Sequence, residues 1–386
     1  MNIPFHRPNI PASLDEIASN SLKSGWLTTG PQVKLFEDKL SELVHSKYVI
    51  AVNSCTAGLH LSMAAKRFKK GDKFIAPTYT FVASVEIGEY LDMFPVLVDC
   101  DENFNLDLNQ VEDCLKNDNE IKAIVPVHFA GKPVDMHKVY ELASKFNVFV
   151  LEDAAHALET FSNIGKVGNT DHATAFSFYA NKNLTTGGEG GAVATNDRTL
   201  AEKIRKLSLH GMSKDGWKRF KTGSKWQYDV SELGYKYNIT DLAASYGLWQ
   251  FKFLQDWSEK RRKLFELYKS KLNSIDGLIC PNEVKHNEID AYHLFIIKIK
   301  PNEWSISRND IIEKLNLNGI GTSVHYVPVH MHSYYAKKYD YEPSYFPMAN
   351  NLSKNVISLP IYPSLRKEEF DYIIDTISKL WNKYKI

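Results

Sequence analysis

The stretch Phe-Ser-Phe-Tyr-Ala-Asn-Lys-Asn-Leu-Thr-Thr-Gly-Gly-Glu-Gly-Gly, residues 176–191, sets a single lysine, Lys182, between the end of an apolar run and a glycine-rich turn. Asp153 lies 29 positions upstream in Glu-Asp-Ala-Ala-His (152–156), again directly after an apolar run. Working outward, short apolar runs recur at Tyr48–Val52, Lys73–Ala76, Pro95–Val98, Ala123–Val127, Val148–Leu151, Ala173–Phe178 and Gly191–Thr195, each followed by a polar or amphipathic stretch. This alternation predicts an α/β fold. Strands carrying so few charges are buried on both faces, as in a mainly parallel sheet covered by helices. Ligands of such sheets collect at the carboxyl ends of the strands, and Asp153, Ser177 and Thr56 all fall there.

From about Asp241 a helical pattern runs through Trp249, Phe253 and Trp257, spaced to share one face, to Tyr268. Beyond it the sequence predicts a strand pair around Tyr292–Ile299, a capped helix from Ser307, the segment Thr322–His332 and a last helix from about Arg366. These read as a smaller α+β domain, giving a division into residues 1–250 and 251–386. With 386 residues and 44% hydrophobic content, including 20 Tyr and 20 Phe, the chain is long enough for two domains. No internal repeat interrupts it.

The charge is nearly balanced, 47 basic against 46 acidic side chains, which gives no footprint for nucleic acid or an acidic partner. The basic run Lys66-Arg67-Phe68-Lys69-Lys70 fits a helix end, where cations offset the helix dipole. Cys55, Cys100, Cys114 and Cys280 are widely spaced and suggest neither a disulfide framework nor a zinc site. There is no apolar signal core in Met1–Pro8 and no apolar run of membrane-spanning length, so the expectation is a cytoplasmic protein without membrane contact.

One lysine between a strand and a glycine turn, with an acid and a histidine upstream, is what an enzyme using pyridoxal 5'-phosphate (PLP) needs. The lysine forms a Schiff base with the cofactor aldehyde and must be desolvated enough to lose its proton near neutral pH. A carboxylate has to face the pyridine nitrogen, because the ring withdraws electrons only while that nitrogen stays protonated. At about 4 Å and an effective dielectric of roughly 20, such a pair is worth on the order of 4 kcal/mol before desolvation. Asp153 is the candidate. Asn53-Ser54-Cys55-Thr56-Ala57-Gly58, between a strand and an apolar helix, would aim free N–H groups and the Thr56 hydroxyl at an anion such as the cofactor phosphate. Ser177 offers a second hydroxyl, Phe81 a ring to stack on the pyridine, and His156 a contact to the ring hydroxyl. Each has an ordinary structural reading, since Ser and Thr commonly cap helices and a lone Phe is usually core. Their order at strand ends around one lysine is what singles them out.

Taken with Pro77-Thr78-Tyr79-Thr80-Phe81, Ser177-Phe178-x-x-x-Lys182, Gly188-Glu189-Gly190-Gly191, Gly234-Tyr235-Lys236-Tyr237-Asn238-Ile239-Thr240-Asp241, Gly25-Trp26-Leu27-Thr28-Thr29-Gly30-Pro31 and Val324-His325-Tyr326-x-Pro328-x-His330, these motifs resemble the DegT-type sugar aminotransferases over nearly the whole chain. The texture is most similar to the branch that aminates UDP-4-keto-pentose. The resemblance implies the aspartate aminotransferase-like fold (PLP fold type I) and a homodimer with both active sites at the interface. It makes Lys182 the Schiff-base lysine and Asp153 the pyridinium partner. His156 and Phe81 would touch the ring, and Thr56, the Ala57 amide and Ser177 the phosphate. Asn238 or Lys236 would reach the phosphate of the other subunit, with Lys236, His325 and Tyr326 on the substrate side. Many relatives carry Gln at His156, Asn-x-Arg at Lys236-x-Asn238 and Gly at Cys55.

The reaction implied moves an amino group from L-glutamate to a nucleotide-linked keto sugar, with Arg219, Lys221, Lys225 and Lys236 as nearby cations for its pyrophosphate. A sugar dehydratase of the same superfamily would carry histidine in place of Lys182, and a non-catalytic regulator would have lost Lys182 or Asp153; both residues are present.

Overall fold

The computed structural model describes residues 1–10, 13–212 and 229–386. Seven strands, β1 (Tyr48–Val52), β2 (Lys73–Pro77), β3 (Phe94–Val98), β4 (Ile121–Ile124), β5 (Phe149–Asp153), β6 (Ala173–Ser177) and β7 (Gly191–Thr195), form one sheet in the order β1-β7-β6-β5-β4-β2-β3. The pairings β2–β3, β2–β4, β4–β5 and β5–β6 are parallel, and β7 runs against both of its neighbours. The strands carry almost no charge because helices cover both faces. Phe149 and Leu151 of β5 pack into one apolar cluster, and Val150 between them packs into another on the opposite side.

A second sheet, β8 (Leu278–Ile279), β9 (Phe295–Ile299) and β10 (Val356–Leu359), is antiparallel in that order. Its core joins Phe265 and Tyr268 to Ile373 and Ile377, and it takes in Ile3 from the start of the chain. The helix from Ser307 has its capping box with Asp310, and the last helix spans Lys367–Tyr384. The basic run after Lys66 does mark a helix end, with Arg67 left-handed beyond the helix Cys55–Lys66.

Two expectations need correction. The helical pattern from Asp241 is two helices, Asp241–Phe251 and Leu254–Leu272. The first closes on tightened bonds, Lys252 N to Trp249 O at 3.2 Å and Phe253 N to Gln250 O at 3.0 Å. The Trp249, Phe253 and Trp257 rings nevertheless stay in contact across the break, with centroids 4.9 and 5.6 Å apart. The strand pair around Tyr292–Ile299 is a single strand. The Asp290 carboxylate accepts the Tyr292 N–H at 2.6 Å and Ala130 O accepts the His293 N–H at 3.1 Å, which holds residues 290–293 in a turn.

Two of the sequence motifs prove to be one structural unit. Asp241, 2% exposed, accepts the N–H groups of Gly30 (2.7 Å), Val33 (3.0 Å) and Gln32 (3.1 Å), and so caps the helix Pro31–Val44 from more than 200 residues away. Gly30 is required there, since a Cβ would lie 1.9 Å from Trp26 Nε1. Asp241→Ala orphans three amides at once. It is expected to lower the unfolding free energy by about 2 kcal/mol, read as an earlier midpoint in urea denaturation. An unchanged midpoint would show that water replaces the carboxylate.

Candidate active site

The carboxyl ends of β1, β2, β5 and β6 open on a cavity of about 490 Å³. Lys182, Asp153, Thr56, Phe81, His156, Ser177, His325 and Tyr326 all line it. Ala57, Lys236 and Asn238 are not in its wall.

Lys182 is carried on the excursion between β6 and β7. That loop is laced by Phe178 N to Gly190 O (2.8 Å), Ala180 N to Gly188 O (3.1 Å) and Lys182 N to Tyr179 O (3.0 Å). The turn requires its glycines, because Gly187 and Gly188 have φ of +92° and +130°. Burial lowers the Lys182 pKa from its ordinary 10.5 to about 8, against the opposing pull of Cys55 and Asp153. A neutral amine is thus within reach near physiological pH.

Asp153, the last residue of β5, is 5% exposed. Its Oδ2 accepts the Ser84 hydroxyl at 2.6 Å and its Oδ1 accepts the Ala155 N–H at 3.0 Å. These two donors fix the plane of the carboxylate.

His156 stands on the turn after β5. Its Nδ1 accepts the Ala130 N–H at 3.2 Å, so the neutral ring carries its proton on Nε2, which lies 3.1 Å from the Tyr326 hydroxyl. Burial and the neighbouring Lys182 push its pKa well below 6.5. Nε2–H therefore donates to Tyr326 Oη, and the Tyr326 proton is left for another acceptor. Burial raises the Tyr326 pKa and keeps that proton on. His325, buried and with its pKa lowered to about 4, is tied by Nδ1 to Ser358 Oγ at 2.8 Å, and its carbonyl accepts the Tyr79 hydroxyl at 2.8 Å. Its ring is braced from the protein side.

At the other end, Ser54 caps the helix Cys55–Lys66 by accepting the Ala57 N–H at 3.0 Å. The Ala57 amide is therefore engaged in the cap, and the hydroxyls of Thr56 and Ser177 are the lining groups suited to an anion. Gly191 at the start of β7 lets this helix end close in, since a Cβ there would meet the Ser54–Cys55 peptide at 2.4–2.5 Å. Phe81 is 57% exposed, with its ring centroid 5.9 Å from that of Tyr326.

Asn238 donates to Thr29 Oγ1 at 2.8 Å, and Lys236 Nζ bonds Asn238 Oδ1. Neither lines the chain's own cavity, although Asn238 pairs with Val52 at the end of β1. Arg219, Lys221 and Lys225 lie outside the described residues. Ser84 and Thr80 were not anticipated as site residues. The one local sign of them is the i, i+4 hydroxyl pair at a helix start.

The hydroxyls of Thr56 and Ser177, a buried carboxylate, an imidazole beside the Tyr326 hydroxyl and a desolvated amine fit the phosphate, pyridine nitrogen, ring hydroxyl and aldehyde of PLP. An α/β sheet presenting such a lysine and acid at its carboxyl ends defines a PLP-dependent enzyme of fold type I. The chain belongs to the DegT/DnrJ/EryC1/StrS aminotransferase family, which it matches over residues 9–378. It is similar to the spore coat polysaccharide biosynthesis protein SpsC of Bacillus subtilis, 40% identical over 377 residues, covering 97% of this chain and 96% of that protein. Among solved structures it is similar to the putative sugar aminotransferase Spr1654 of Streptococcus pneumoniae in its PMP form (TM-score 0.90, 30% identity, 99% of this chain and 100% of that one). It is also similar to Helicobacter pylori PseC, an aminotransferase involved in the biosynthesis of pseudoaminic acid (TM-score 0.91, 26% identity, 99% and 100% covered). Spr1654 is known in a PLP form as well. The chain is a PLP-dependent sugar aminotransferase.

Proposed function

We propose that the chain transfers the amino group of L-glutamate to a nucleotide-linked keto sugar, with C4 the favoured carbon, in the synthesis of an amino sugar for a surface polysaccharide, lipid or glycoconjugate. The observation that carries this reading is the Lys182 amine, held at a pKa of about 8 in one cavity with Asp153. Bound PLP supplies the electron sink. Asp153 keeps the pyridine nitrogen protonated, His156 shares its one N–H between Tyr326 and the ring hydroxyl, and Phe81 covers the ring face. Thr56 and Ser177 hold the phosphate. Lys182, once freed, moves the proton between cofactor C4′ and the substrate carbon as base and then acid. Tyr326, whose hydroxyl proton is free of His156, donates to the sugar, and His325 shapes the same wall. The polysaccharide role in the name of the B. subtilis relative supports a sugar acceptor.

Incubation with L-glutamate and a panel of uridine, thymidine and guanosine keto sugars, with mass detection, is expected to give an amino sugar and 2-oxoglutarate in equal amounts. Turnover of keto acids with no keto sugar accepted would overturn the substrate class.

We also infer a homodimer in which the Gly234–Asp241 segment serves the neighbouring copy. Large apolar side chains stand exposed near the cavity mouth and on the approach to this segment, Phe81, Tyr179 and Leu233 among them, with Leu233 88% exposed. Lys236 and Asn238, which do not line their own cavity, would then reach the partner's phosphate. Mixing inactive Lys182→Ala chains with chains altered at both Lys236 and Asn238 is expected to restore roughly a quarter of wild-type activity. About half of randomly paired dimers are mixed, and each carries one intact site. Recovery near zero after verified subunit exchange would place the segment's action within its own chain. Among the described residues no helix is long and apolar enough to cross a membrane, and we place the enzyme in the cytoplasm, where nucleotide sugars are made.

A further inference from the structure

Ser84 opens the short helix Ala83–Glu89 and sets its hydroxyl 2.6 Å from Asp153 Oδ2, while Thr80 Oγ1 lies 2.9 Å from Ser84 Oγ. All three side chains are buried. An ionised carboxylate only accepts, so the Ser84 proton goes to Asp153. A hydroxyl has one proton, so Ser84 Oγ must accept from Thr80. The chain therefore has one direction, from Thr80 O–H to Ser84 Oγ and from Ser84 O–H to Asp153 Oδ2. On the other side, Asp153 Oδ1 holds the Ala155 N–H at 3.0 Å, with the Cys55 thiol 4.0 Å away. Lys182 and Tyr326 are the other titratable groups that feel this carboxylate, which helps to hold a proton on each.

We propose that Ser84, backed by Thr80, is a positioning residue that keeps the proton on the cofactor's pyridine nitrogen by holding Asp153 ionised and fixed in plane. This rests on Asp153 being the pyridine partner. The carboxylate and the ring nitrogen compete for one proton. Every donor to the charged carboxylate lowers its basicity, and in a dry wall such a charge-assisted bond counts for more than in water. With Ser84 gone, Asp153 keeps only the Ala155 N–H and the distant Cys55 thiol, and it competes better for the ring proton. The proton then moves from the ring nitrogen to Asp153, with the total charge unchanged. A neutral ring facing a neutral acid withdraws electrons poorly.

The test loads the holoenzyme with PLP labelled with nitrogen-15 in the ring and reads the chemical shift, which separates protonated from unprotonated pyridine. Wild type is expected to show the protonated shift. Ser84→Ala is expected to move it toward the unprotonated value and to lower kcat about tenfold with little change in the donor KM, the size of one lost charge-assisted bond. Thr80→Val, which leaves every atom touching Asp153 in place, is expected to move the shift the same way by less, and it carries the test if Ser84→Ala fails to fold or load. Ser84→Thr retains the hydroxyl and the wild-type shift. A wild-type ring that is unprotonated, or unaffected by Asp153→Asn, would overturn the assignment of Asp153 itself. A protonated shift lost in Asp153→Asn yet unchanged in both Ser84→Ala and Thr80→Val would overturn the positioning role alone.

Discussion

Lys182→Ala is expected to abolish transamination, with a fall in kcat of at least about ten-thousandfold, because one amine provides both the covalent link to the cofactor and the proton transfer. Cofactor binding itself should weaken without vanishing, since Asp153, Thr56, Ser177 and His156 remain in the wall. Borohydride reduction of the wild-type enzyme should fix the cofactor on the peptide that contains Lys182, and a label on any other peptide would sink the assignment. The pH dependence has a definite sign. Burial disfavours the ammonium, so with a pKa of about 8 Lys182 is charged below that value and neutral above it. Covalent capture of added PLP by the cofactor-free enzyme should therefore quicken as pH rises toward about 8 and level off beyond, followed by the cofactor's absorbance. Capture that slows across this interval would contradict a desolvated amine.

The parts of this site that chemistry restricts to few residue types were legible in the sequence. Lys182 and Asp153 each follow an apolar run, and parallel pairing of β5 with β6 brings the ends of those runs side by side. The strand positions were readable for the same reason, because a strand buried on both faces has to be a short, nearly uncharged run. Ser84 left no such trace. It reaches Asp153 only because β4 separates β2 from β5 in the sheet, so that the turn after β2 folds over the end of β5. The Tyr326–His156 bond likewise joins residues 170 positions apart and has no local pattern. The break at Lys252–Phe253 leaves no mark in the sequence because the aromatic spacing continues through it, and the rings stay in contact where the backbone is not helical. The resemblance puts the Ala57 amide on the phosphate, yet a serine three residues earlier satisfies it first.

Asp153→Asn should reduce kcat about a thousandfold although its volume hardly changes. The charge pair it removes is worth on the order of 4 kcal/mol at roughly 4 Å, and each 1.36 kcal/mol is tenfold in rate. The surroundings make the substitution a clean test of charge. The Ala155 N–H donates and cannot reverse, so the asparagine oxygen must stay on that side, where Asp153 Oδ1 now accepts at 3.0 Å. Its NH2 then faces Ser84, whose hydroxyl turns to accept from it and donates in its turn to Thr80, 2.9 Å away. The hydroxyl chain runs backwards at the cost of the acceptor of the Thr80 proton alone, so the unfolding free energy should fall by only about 1 kcal/mol, well short of the loss in activity. The ring nitrogen, by contrast, now meets a neutral amide that cannot hold its proton. A loss of activity within about tenfold of wild type, or about 1.4 kcal/mol, would show that the carboxylate does not govern the protonation of the ring.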